Sequence, residues 1–67
     1  MLEANEVARA ARGMIVNYGR RAASEAEKRA QNLLAFGETD TAASWQQIAA
    51  AIHRMGKNER GDGVGNA

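Results

Sequence analysis

"LLAFGETDTAASWQQIAAAI", residues 33–52, is apolar, then briefly polar around one glycine, then apolar again at helical spacing. Gly37 can be read as part of a ligand-holding loop, as the turn of a repeat, or as a helix stop. A phosphate-binding loop needs further glycines and a lysine that are missing here. A solenoid needs neighbouring copies, and the stretch has no second copy in the chain. The stop remains, because glycine reaches the left-handed backbone that closes a helix at little cost. The same pairing of a large side chain with glycine recurs at Tyr18-Gly19 and Met55-Gly56. Three stops predict three helices, at about residues 4–18, 21–36 and 40–55.

The first predicted helix has Asn5 as a candidate N-cap, Glu6 in its first turn, and a stripe of Val7, Ala11, Met14, Ile15 and Tyr18. Glu3, Glu6, Arg9 and Arg12 fall on the other side. Gly13 interrupts it at a cost of about 1 kcal/mol relative to alanine, either to admit a close neighbour or for no packing reason. The second helix has two candidate starts. Ser24-Glu25-Ala26-Glu27 matches the S-x-x-E capping box and would begin it at Glu25. A start near Arg21 instead makes Ala22, Ala23, Ala26, Ala30, Leu33 and Leu34 one continuous stripe and is preferred, with Lys28, Arg29 and Gln31 facing water. The third helix follows Glu38-Thr39-Asp40, where Thr39 or Asp40 can cap. Its stripe of Ala42, Trp45, Ile48, Ala49, Ile52 and Met55 is the clearest in the chain. The remainder, "KNERGDGVGNA", is polar and glycine-rich, so a disordered tail is expected at 57–67 and a folded domain at 1–56. Short connections force antiparallel neighbours, which makes the expected fold an all-α bundle of three short antiparallel helices.

A chain of 67 residues makes at most one domain, and one of this size hides only about 60% of the surface that its unfolded form exposes. With no cysteine and a single histidine, disulfide and zinc staples are out of reach. The large apolar candidates for the core are Leu2, Val7, Met14, Ile15, Tyr18, Leu33, Leu34, Phe36, Trp45, Ile48, Ile52 and Met55. So small a core makes self-association the natural supplement, and a homodimer is expected. Met1-Leu2-Glu3 lacks a signal peptide's basic segment, and no apolar run spans a bilayer, so the chain is expected to be cytoplasmic and off the membrane. Nine Lys and Arg against eight Asp and Glu give a net charge of +1, far from a domain held mainly by phosphates.

Catalytic chemistry needs titratable groups gathered in a cleft. His53 lies at the edge of an apolar stripe near the predicted helix end, where a positive charge suits the dipole. Ser24 and Ser44 lie inside helical patterns with no histidine one turn away to act as base. No enzyme activity, cofactor or metal is expected. Arg9, Arg12, Arg20 and Arg21 cluster more tightly and could form a basic corner for an anionic partner, although Glu3, Glu6, Glu25 and Glu27 stand close enough to neutralise much of it. A DNA-reading third helix would have only Gln46, Gln47 and Arg54 to use. Tyr18 and Trp45 could mark an interface, but both fall on apolar stripes, so core packing is the preferred reading for each. Arg60-Gly61-Asp62 spells an adhesion tripeptide, which is read as chance.

The segment "EVARAARGMIVNYGRRAASEAEKRAQNLLAFGETDTAASWQQIAAAIHRM", residues 6–55, resembles a family of short helical alphaproteobacterial proteins grouped as a domain of unknown function. The likeness is carried by Ala10-Ala11, Met14-Ile15, Gly19, Ala22, Ala26, Arg29-Ala30, Leu33, Gly37, Trp45, Ile48 and Ala51-Ile52. Members often carry histidine at the position of Tyr18 and aspartate at that of Glu38, which argues against a function resting on that histidine. The resemblance implies a bacterial helical protein and no activity, cofactor or partner. "RAQNLLAFGETDTAASWQQIAAAI" is also similar to one tetratricopeptide-type hairpin, with Ala42 five residues after the turn glycine. It departs where Trp45 stands one place before the expected aromatic at Gln46. The expected function is a small non-catalytic helical protein-interaction or regulatory module, self-associating; the alternative is a nucleic-acid-associated regulator using the arginine corner.

Overall fold

The computed structural model describes residues 2–65, with side chains as far as residue 56. The described chain is all-helical: α1 (Ala4–Tyr18), a 3-10 turn η1 (Gly19–Arg21), α2 (Ala22–Ala35) and α3 (Thr39–Gly65). Helix passes from α1 into α2 through η1 with no intervening loop, so the first two predicted helices are joined into one bent helical run. The bend sits at Gly19, whose φ of 58° and ψ of −126° belong to the first central position of a type II′ turn. That backbone is open to glycine and strained for any residue with a Cβ.

α1 begins two residues earlier than an Asn5 cap would place it. Glu3 is the N-cap, its N–H donates to Glu6 Oε1 at 3.0 Å, and its carbonyl accepts from the Val7 N–H. Asn5 is therefore an ordinary first-turn residue. At the start of α2 the earlier boundary holds: Ser24 lies inside the helix, its hydroxyl donating to the Arg21 carbonyl at 3.1 Å.

The stop at Gly37 is a complete Schellman motif. The Glu38 N–H donates to the Leu33 carbonyl at 2.8 Å, the Gly37 N–H donates to the Leu34 carbonyl at 3.0 Å, and Gly37 takes a φ of 82°. α3 then starts at once. The Glu38 carbonyl accepts from the Ala42 N–H, so Thr39 and Asp40 are first-turn residues and not the cap. The third expected stop is corrected. Gly56 has no positive φ and α3 continues through it, since a single glycine costs a helix only about 1 kcal/mol. The expected tail, 57–67, and the Arg60-Gly61-Asp62 tripeptide lie outside the residues whose side chains are described.

α2 and α3 share the largest interface, and α1 packs across both. The seam is built from small residues: Ala11, Ala22, Ala26 and Ala42 are 0% exposed. Val7, Met14, Ile48 and Ile52 close around them, with Leu2, Ala10, Ile15, Ala23, Trp45 and Met55 at the margin. Alanine on facing helices lets the axes approach toward the short end of the usual 8–10 Å spacing. The same choice leaves no large side chain fully enclosed among the described residues. Three expected core members stand outside: Phe36 at 82% exposed, Leu34 at 45% and Tyr18 at 36%. Leu33 and Leu34 point about 100° apart on the helix, so Leu33 is half-buried while Leu34 is exposed. Phe36 is the C-cap of α2, already leaving the helical path.

Candidate interaction surface

Arg29 is the centre of the most organised polar arrangement. It was expected to face water, yet it lies half-buried on α2, with its guanidinium carbon 5.1 Å from the centre of the Trp45 ring and 5.7 Å from that of Tyr18. Its Nη2 donates to the Tyr18 hydroxyl at 2.8 Å. One cation thus meets two aromatic faces and a phenol oxygen, tying the end of α1, the middle of α2 and the first half of α3 together. Tyr18 and Trp45, named as possible interface aromatics but read first as core, are brought to the same place by a residue that was not singled out. A signal existed: Ala22, Ala26, Arg29 and Leu33 follow 4-3-4 spacing, so Arg29 lies along the buried stripe. A long side chain can cover apolar surface there and still reach solvent.

Beside this cluster, Leu2, Asp40, Thr41, Ser44, Trp45 and Ile48 line an open groove of about 360 Å³. Leu2 precedes α1, so the groove fixes the start of α1 against the first turns of α3. The Ser44 hydroxyl donates to the Asp40 carbonyl at 3.3 Å. On the other half of α3, His53 Nε2 lies 3.0 Å from Glu27 Oε2 on α2. Because α3 continues beyond Gly56, His53 is not a helix-end residue as expected; it bridges two helices at their exposed edge. Gln47 Oε1 is enclosed without a hydrogen-bond partner. Among the described residues, no three His, Cys, Asp or Glu side chains are grouped to hold a metal ion, and no helix is long and apolar enough to cross a membrane.

Arg9 and Arg12 lie exposed one turn apart on α1, and Arg20 and Arg21 lie exposed in η1. Arg21 approaches Glu25 at 3.9 Å, and Lys28 approaches the same carboxylate at 3.6 Å, so Glu25 serves two cations. Among the described residues Arg9, Arg12 and Arg20 form no ion pair. Of the other carboxylates named as neutralisers, Glu6 caps α1 and Glu27 meets His53. Exposed apolar side chains complete the surface: Val16 on α1 is 83% exposed, and Leu34 and Phe36 adjoin the turn into α3.

Comparison with protein-family models, with curated proteins and with solved structures finds no match to this chain. The functional reading therefore stands on its residues.

Proposed function

We propose that this chain is a small helical protein-interaction module that acts by contact rather than catalysis and associates with itself. The observation that carries the reading is the inversion of size between inside and outside. The fully enclosed positions hold alanine, while Phe36 and Val16 lie more than four-fifths exposed. Burying such side chains is worth about 1.5–3 kcal/mol each, a large part of what a core this small supplies. A partner surface, in the first instance a second copy, recovers that energy.

Sedimentation of the full chain from low to high micromolar concentration tests this. The expected result is a mass rising above the 7.2 kDa monomer, and a Phe36→Ser, Val16→Ser variant that stays monomeric with unchanged helicity. A natural chain that remains a monomer throughout overturns the self-association.

A second reading, contact with an anionic polymer, draws on the unpaired exposed side chains of Arg9, Arg12 and Arg20. It requires binding to DNA or RNA that weakens steeply with salt and is lost in an Arg20→Ala, Arg21→Ala variant.

A further inference from the structure

The bend between α1 and α2 rests on one residue. Ala22, the first residue of α2, has a φ of −58° and a ψ of −46°, Tyr18 at −119°, −10° is right-handed, and Arg21 at −88°, 1° lies in the bridge region beside the helical one. Gly19, at 58°, −126°, is the one residue of the bend with a positive φ. A Cβ at Gly19 would meet no atom within 4 Å, so nothing but the backbone angle calls for glycine there. Returning Gly19 to helical angles, with Tyr18 and Arg21 settling to helical values beside it, makes residues 4–35 a single unbroken helix.

Straightening lifts α1 off its own chain. Tyr18 and Arg29 are 11 residues apart, which is about 16 Å of rise in a continuous helix. Their 2.8 Å hydrogen bond within one chain therefore exists only in the bent form. Val7, Ala11 and Met14, all buried against α2 and α3, would lose their cover together. The surface shaped to receive them is the one α1 vacated, and a second straightened copy presents the same vacated surface. We infer that Gly19 is an exchange hinge. Two copies straighten at Gly19 and trade α1, each laying Val7, Ala11 and Met14 into the α2–α3 seam of the other and remaking the Tyr18–Arg29 bond between chains. The contacts exchanged are those already in the monomer, so the backbone change at residue 19, the entropy lost on association and the chain concentration set the balance. This inference does not rest on association through Phe36 and Val16, which lie outside the seam in both forms.

The test uses the full chain with Gly19→Ala and a chemically synthesised chain carrying D-alanine at position 19, each in the natural and the Phe36→Ser, Val16→Ser backgrounds. Alanine disfavours the bend and D-alanine favours it. The expected result is a dimer for Gly19→Ala in both backgrounds, with the monomer–dimer equilibrium moved at least about fivefold. The D-alanine chain is expected to show no exchange. In dimers mixed from differently isotope-labelled copies, methyl contacts between Met14 and the Ile48–Ile52 cluster should run between chains. If Gly19→Ala is unfolded when dilute, exchange requires that it fold as concentration rises. A folded Gly19→Ala monomer, a dimer whose Met14 contacts stay within one chain, or a variant unfolded at every concentration overturns the hinge. Loss of the dimer only in the Phe36→Ser, Val16→Ser background assigns association to the surface and likewise overturns it.

Discussion

The glycines show how differently one residue type can act in a single chain. At Gly13 and Gly56 the backbone is ordinary helix, and a Cβ would meet no atom within 4 Å. The first of these settles the choice left open at position 13: no neighbour packs close enough to require glycine. Gly13→Ala should raise stability by about 0.5–1 kcal/mol, read as a higher melting temperature. Gly37 also has open space around it, but its φ of 82° makes any Cβ strained. Gly37→Ala should lower stability by about 1 kcal/mol or more, and an unchanged melting temperature would mean that α2 does not end in the Schellman turn. Sequence marks Gly19, Gly37 and Gly56 alike, because a large residue before glycine is compatible with a stop, a bend or an uninterrupted helix. What separates them is the backbone path that the packed helices impose.

Among the elements, α2 carries the most information. Its buried stripe of Ala22, Ala26 and Ala30 was legible from periodicity alone, and so was the direction it faces. Because the seam has no room for a larger side chain, Ala26→Leu should cost about 1–3 kcal/mol in chemical denaturation despite adding apolar area. Arg29 was not legible, since composition ranks arginine with the solvated residues and its aromatic partners arrive from α1 and α3. Arg29→Lys keeps the charge and loses the planar stack, so it should destabilise by about 0.5–1 kcal/mol. The same change should move Trp45 emission to longer wavelength as its ring loses cover. In a double-mutant cycle Tyr18→Phe and Arg29→Lys should be non-additive, because each removes the same hydrogen bond. Additive losses would show that the bond contributes nothing to stability.

At the scale of the whole molecule, a core floored with alanine makes stability and association hard to separate. Each helix presses its backbone close to the next, yet the transfer energy of large enclosed side chains is absent. The stability of the natural chain should therefore rise with protein concentration, read as a melting temperature several degrees higher at high than at low micromolar chain. In Phe36→Ser, Val16→Ser that dependence should flatten without a loss of dilute-chain stability, because both side chains are already exposed in the monomer. A melting temperature independent of concentration in the natural chain would remove association from its energetics.

The sequence by itself determined the helical class, the positions of α1, α2 and the start of α3, the stop at Gly37 and the faces that meet. All of these follow from 3.6-residue periodicity and the backbone freedom of glycine, which act over a turn or two. Only the tertiary structure decided that α1 and α2 form one bent run, that Arg29 gathers Tyr18 and Trp45, that His53 reaches Glu27, and that Phe36 and Leu34 face outward. Those outcomes depend on where one helix lies against another, and that is fixed by how closely small side chains let the helices approach.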